Sequence, residues 1–142
     1  MTRPCERFAH APGGVLAACT QEELHALEQL TRPVVVRAGC VIVGRGDDEA
    51  ACFVVVRGAA TVDVGGRRVE TVRAGAVFGW CDRIDTRPFP ATITASVCSS
   101  LAVAVDPELD EILAIGALRS EWSRATARWH GLEHVGRLDP HL

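Results

Sequence analysis

Residues 52–72 read CFVVVRGAATVDVGGRRVETV. Within this stretch Ala60, Val62 and Val64 alternate with Ala59, Thr61 and Asp63, the period-two pattern of a strand with one wet face. Gly65 and Gly66 then stand between Val64 and Arg67. Two glycines between alternating runs are a strong hairpin signal, because a two-residue loop that follows the strand twist needs positive φ at both positions. Gly58 marks a second break upstream. The stretch therefore predicts three successive strands, 52–57, 59–64 and 67–72.

The same rhythm extends on both sides, over 34–105. Further β-branched runs occur at 34–37, 40–43, 91–95 and 101–105, with breaks at Ala38-Gly39, at 44–48 and at Ala74-Gly75. About seven or eight short strands at this spacing predict an antiparallel β-roll or jelly-roll. Upstream, Thr20-Gln21-Glu22-Glu23 reads as a capping box, with Leu24, Leu27 and Leu30 following at helical spacing. A short helix over 21–30 is expected, ended by Thr31-Arg32-Pro33. Downstream, Asp106-Pro107 reads as N-cap and first helical residue. Leu109, Ile112 and Leu113 form one apolar face; Leu118, Trp122, Ala125 and Trp129 form a second after Gly116, and Gly131 closes the helix.

The fold class expected is thus mainly β with flanking helices: a roll of about eight strands, one short N-terminal helix and a C-terminal helix pair. The expected organisation is a flexible arm over 1–15 and a single domain over 16–131. The domain comprises the roll at 34–105 and the terminal helices at 106–131, followed by a frayed tail at 132–142.

Composition narrows the chemistry. The chain has 142 residues, 48% of them hydrophobic, enough for one domain with its own core. No apolar run approaches the ~20 residues of a spanning helix. The start, Met1-Thr2-Arg3-Pro4-Cys5-Glu6-Arg7, has no apolar segment of a secretory leader, so the cytoplasm is the expected compartment. A net charge of −3 argues against a nucleic-acid partner. All basic residues are arginine, which excludes Schiff-base and P-loop lysine chemistry. The 6 cysteines include no C-x-x-C pair, and Cys40, Cys52 and Cys98 are expected as buried small hydrophobes in strands. No histidine lies between residues 26 and 129, so a cupin-type metal site has no ligands in the roll. His130 and His134 share i,i+4 spacing but lack the H-E-x-x-H pattern. No G-x-S-x-G elbow occurs, and Asp47-Asp48-Glu49 reads as a solvated turn. An enzyme is not expected, and no metal.

This layout and its local residues resemble the cyclic-nucleotide-binding domain family over about residues 20–130. The resemblance rests on the capped helix, the Ala38-Gly39 and Gly46-Asp47 turns, the aromatic-led strand from Phe53, and Gly58. It rests further on Gly75-Ala76-Val77-Phe78-Gly79, similar to that family's Gly-x-x-Phe-Gly, and on Ala91-Thr92-Ile93-Thr94-Ala95, similar to its Ala-Thr-x-x-Ala. The resemblance implies a ligand pocket at Phe78, Gly79, Trp80, Cys81, Phe89, Pro90, Ala91 and Thr92.

At the positions that carry ligand chemistry the chain departs from the family. Trp80 stands where the family has the glutamate that holds the ribose hydroxyl. Phe89 stands where it has the arginine that pairs with the cyclic phosphate, and Pro90 at the following Ser/Thr position. Loss of a buried arginine–phosphate pair costs about 2–5 kcal/mol, or about 30- to several-thousand-fold in affinity. Arg83 and Arg87 lie in the same loop and are the alternative phosphate contacts. Trp80 and Phe89 either line an altered pocket for a planar apolar ligand or fill the vacated space, and close packing of interiors favours filling.

The expected function is a non-catalytic regulatory or scaffold module that does not take cAMP or cGMP in the usual way and acts through a protein partner or homo-oligomer. Residual cyclic-nucleotide binding is the alternative, and haem held by Cys81 a more distant one; otherwise no cofactor is expected. Leu118, Trp122 and Trp129 are the expected partner or dimer helix, with Trp129 the more exposed of the two tryptophans. No DNA-reading segment of the family's usual size follows the terminal helix, so output is expected to pass through a partner.

Overall fold

Val64 faces Arg67 across a two-residue loop, and Gly65 and Gly66 have φ of 59° and 82°, so the hairpin forms where the sequence places it. The computed structural model describes residues 13–138, with side chains through Glu133. Among the described residues eight strands follow one another: β1 Arg32–Val36, β2 Val41–Val43, β3 Ala51–Arg57, β4 Ala59–Val64, β5 Arg67–Arg73, β6 Val77–Trp80, β7 Thr92–Ala95 and β8 Ser99–Val105. They form two four-stranded antiparallel sheets, ordered β1-β8-β3-β6 and β2-β7-β4-β5. Helix α1, Gln21–Leu30, precedes the roll; α2, Leu109–Leu113, and α3, Gly116–Leu138, follow it. The roll with flanking helices is the architecture expected. No helix among the described residues is long and apolar enough to cross a membrane.

Strand alternation divides the core in two. On β3, Cys52, Val54 and Val56 point to a cluster under the helices with Leu27, Leu109 and Trp122, whereas Val55 points into the roll with Val62, Ile93 and Leu101. On β8, Ala102 and Ala104 go with the first cluster and Leu101 with the second. Both faces of these central strands are covered, so they read as nearly continuous apolar runs. Helix α3 serves both clusters in turn: Leu118 and Trp122 lie in the first, Ala125 and Trp129 in the second.

At Thr20 both halves of the capping box form, Glu23 N to Thr20 Oγ1 at 3.1 Å and Thr20 N to Glu23 Oε1 at 2.9 Å. β1 begins at Arg32 and contains Pro33, which is tolerated because β1 is an edge strand. β6 is not among the runs the sequence pattern marks. It has only 4 residues, one of them Gly79, and exists because β3 pairs with it at Phe53↔Phe78 and Cys52↔Gly79.

Several expectations are corrected. Gly14 and Val15, at the end of the expected 1–15 arm, belong to a 3₁₀ turn, Gly14–Ala18, with Val15 and Leu16 buried and the Val15 amide donating to Gly75 O at 3.1 Å. Residues 1–12 of the expected arm and 139–142 of the expected tail lie outside the described residues. Asp106 does not cap α2; Glu108 is its N-cap, and the Asp106 carboxylate accepts from Arg83 instead. Helix α3 passes through Gly131 to Leu138. One glycine costs a helix about 1 kcal/mol, and the burial of Trp129 and His130 just before it outweighs that. Cys52 is buried as expected, but Cys40 and Cys98 are exposed. Both fall at chain reversals outside the strands; the Cys40 amide closes its turn by donating to Arg37 O at 3.1 Å.

Candidate functional site

The segment from Val77 to Thr92 leaves one sheet, loops out and returns to the other. Gly79 has φ of 132°, and a Cβ there would lie 2.2 Å from Ala51 O. Only glycine lets β6 lie this close to β3. The buried Gly79 carbonyl accepts the Trp122 Nε1–H at 2.8 Å, which ties the start of the loop to α3. Cys81 follows, fully buried, and its carbonyl accepts from the amides of Ile84 and Asp85 at 2.9 and 3.0 Å to start a turn. Burial, and then the neighbouring Cys81, raise the Cys52 pKa, so the Cys52 thiol stays protonated.

The loop's two arginines are both engaged with carboxylates. Arg83 donates to Asp106 Oδ1 at 3.0 Å, to Asp82 Oδ1 at 3.3 Å and to Asp110, where the β8–α2 connection meets the loop. The hydrogen bond to Asp106 raises its pKa further. Arg87 makes a two-pronged contact with Asp85, Nε to Oδ1 at 3.0 Å and a terminal nitrogen to Oδ2 at 2.8 Å. Its own backbone amide also donates to Asp85 Oδ1, at 2.8 Å. His130 of α3 is buried beside the same carboxylate, with Nε2 3.5 Å from Asp85 Oδ2 and Nδ1 3.3 Å from Glu133 Oε1.

The Arg87 hydrogen bond holds the Asp85 carboxyl below the usual carboxylate range, against the opposing effect of burial. Stability from a carboxyl depressed in the folded state is complete above its unfolded pKa of about 3.9 and is lost as pH falls through the folded value. Asp85→Asn is therefore expected to flatten the fall in stability below about pH 4. Urea titrations across pH check this; acid limbs of equal slope in variant and wild type contradict it.

Phe89 follows Arg87 and turns inward. Its amide donates to Asp47 O at 3.0 Å and its carbonyl accepts from Gly46 N at 2.8 Å, so the loop is stitched to the β2–β3 turn. Asp47, one of the acidic turn residues, also accepts from Gly44 N at 2.9 Å. The Phe89 ring meets the Trp129 indole edge-on, centroids 5.9 Å apart at 78°, a favoured aromatic arrangement. Trp129 Nε1 donates to Glu70 Oε1 of β5 at 2.7 Å, and Arg128 grips the same carboxylate through two nitrogens at 3.0 and 3.3 Å. Phe78, Phe89, Ala91, Ile93 and Trp129 are each no more than 1% exposed.

Trp80, Pro90 and Thr92 frame this interior. Trp80 is half-buried and donates through Nε1 to Arg87 O at 2.7 Å, and Pro90 is buried. Thr92 Oγ1 accepts from Arg45 N at 3.3 Å. The structure brings Phe78, Trp80, Phe89, Ala91 and Trp129 into one apolar cluster, whereas Val77 and Cys81 face the other. Trp129, expected exposed to a partner, is fully buried, as are Leu118 and Trp122. The helix turns these three inward because the roll beneath it supplies matching apolar surface. No sequence signal marks Glu70. It is 59 residues from Trp129 in sequence, and nothing local distinguishes it from any solvated strand carboxylate.

No protein-family model and no curated protein matches the chain. Solved structures do match. The cAMP-bound PfPKA-R (141-441) has 17% identity and a TM-score of 0.74, covering 93% of this chain and 46% of its own. The regulatory domain of Toxoplasma gondii PKA with cAMP has 19% identity and a TM-score of 0.66, covering 80% and 45%. The Thermus thermophilus catabolite activator protein has 18% identity and a TM-score of 0.63, covering 88% and 61%. The chain thus spans about half the length of the first two. The fold is that of a cyclic-nucleotide-binding domain, a β-roll with flanking helices.

Proposed function

We propose that this domain is a non-catalytic regulatory or scaffold module whose roll is filled by its own side chains, and that it acts through a protein partner instead of through cAMP or cGMP. The observation that carries this reading is the burial of Phe89 against Trp129 inside the roll. The resemblance puts Phe89 where a phosphate-pairing arginine stands, and an aromatic ring offers a phosphate neither charge nor donor. Neither loop arginine makes good the loss. Arg83 is held by Asp106 and Asp110, Arg87 by Asp85. To reach the interior, either would have to leave a hydrogen-bonded carboxylate, and Phe89 would have to leave the core.

A thermal-shift titration with cAMP and with cGMP, each at about 1 mM, tests the reading. A ligand bound at about 10 μM adds roughly 2.7 kcal/mol to the folded state, a rise of several degrees for a chain of this size. No rise is expected with either. A saturable rise with one of them overturns the reading and makes the domain a cyclic-nucleotide sensor.

A further inference from the structure

Among the described residues, strand β5 ends its sheet, with β4 on one side and no strand on the other. Among the described residues, no further backbone-to-backbone hydrogen bond outside the strand pairing reaches residues 67–72. An unpaired edge normally invites another strand unless something covers it. Here a groove of about 490 Å³ opens beside residues 70–77, where the end of β5 and the turn after it face α3 and the Gly14–Ala18 turn. Its walls include Thr71 and Val72 from the strand and Ala117, Ser120 and Ala125 from the helix. These small helix residues stand beside the longer Glu121, Arg124, Arg128 and Trp129 on the same wall.

The rim of the groove is basic. Arg73, Arg124 and Arg128 line it, Arg67 and Arg68 continue along β5, and Arg119 lies one turn before Ser123 on α3. All six are exposed. The carboxylates present are largely spoken for: Glu70 is held by Arg128 and Trp129, and Glu121 lies 3.5 Å from Arg124. Arg67, Arg68, Arg73 and Arg119 make no ion pair among the described residues. This is a concentration of free positive charge on a chain whose net charge is −3.

We propose that the β5–α3 groove is a docking site for an acidic extended segment of a partner protein, added as a strand to the free edge of β5. Main-chain hydrogen bonds supply affinity and the arginine rim selects acidic side chains, as in other strand-addition complexes. The groove's apolar walls and strand edge favour a peptide over a nucleic acid, whose binding needs only the charge. This inference rests on the reading that the domain works through a partner, and it names the surface used.

The test is fluorescence anisotropy of the full chain with a labelled peptide of about eight residues alternating glutamate and valine. Saturable binding below about 1 mM is expected. It should weaken about tenfold or more in Arg73→Glu/Arg124→Glu and survive in Arg32→Glu/Arg57→Glu, which reverses as many exposed charges elsewhere. N-methylation of alternate peptide amides should abolish it. Equal binding of the N-methylated peptide or of a lysine–valine peptide overturns the proposal. So does tighter binding of a single-stranded oligonucleotide, or no saturable binding of the acidic peptide. The two readings fail separately: a cAMP-induced rise in stability removes the partner reading, whereas its absence with a null peptide titration removes this surface alone.

Discussion

Trp129→Ala is expected to lower the unfolding free energy by about 3–5 kcal/mol, the range for truncating a fully buried tryptophan. The indole is 0% exposed, packs edge-on against Phe89, and donates to Glu70. Its removal opens a void in the centre of the roll and leaves Glu70 with Arg128 alone. The midpoint of thermal unfolding should fall by about 10 °C or more. Urea unfolding with the slope compared to wild type checks the value. Trp129→Phe keeps most of the apolar contact and loses the hydrogen bond, so it should cost clearly less. A cost below about 1 kcal/mol for the alanine variant, the usual range for an exposed site, contradicts the placement of this side chain.

Gly79→Ala is the second large effect. An alanine at φ of 132° is strained, and its Cβ would meet Ala51 O at 2.2 Å, across the β3–β6 pairing. The backbone strain alone is worth about 1–3 kcal/mol, and the contact is with main chain that cannot swing aside. A total of about 3 kcal/mol or more is expected. Gly46→Ala provides the contrast. Gly46 also has positive φ, 89°, but a Cβ there meets nothing within 4 Å. That substitution should cost about 1 kcal/mol. Equal costs at the two positions would mean that the close approach of β6 to β3 does not constrain the fold.

The parts legible in the sequence were those set by local chemistry. The Gly65-Gly66 turn and the Thr20 capping box each depend on residues a few positions apart, and each forms as read. The alternating run forms strand β4 over its expected residues, but its expected wet face does not hold: Ala59 and Thr61 are buried and only Asp63 is partly exposed. The order of these signals was also enough to suggest the fold. Where tertiary contacts decide, the reading failed. β6 is a strand because β3 pairs with it. Asp106 looked like a helix cap until Arg83, 23 residues away, claimed its carboxylate. Trp129 looked available to a partner because it lies near the end of a helix pattern, and periodicity cannot say how far a helix extends over the surface that buries it. Among the pocket residues, Phe89 was legible as an anomaly against the family pattern. That it meets Trp129, and that Glu70 holds Trp129 in place, required the fold.

The most direct test of a self-filled roll is the indole region of the ¹⁵N–¹H correlation spectrum during a cAMP titration to about 1 mM. The chain has 3 tryptophans, so Trp80, Trp122 and Trp129 each report their own surroundings. A nucleotide entering the roll must displace Phe89 from the Trp129 indole and disturb the Trp129–Glu70 hydrogen bond. In a self-filled roll the three indole signals stay where they are throughout, with the Trp129 Nε1–H slow to exchange with solvent. Saturable movement of the Trp129 and Trp80 signals would show that the roll opens to a cyclic nucleotide and is not filled by its own side chains.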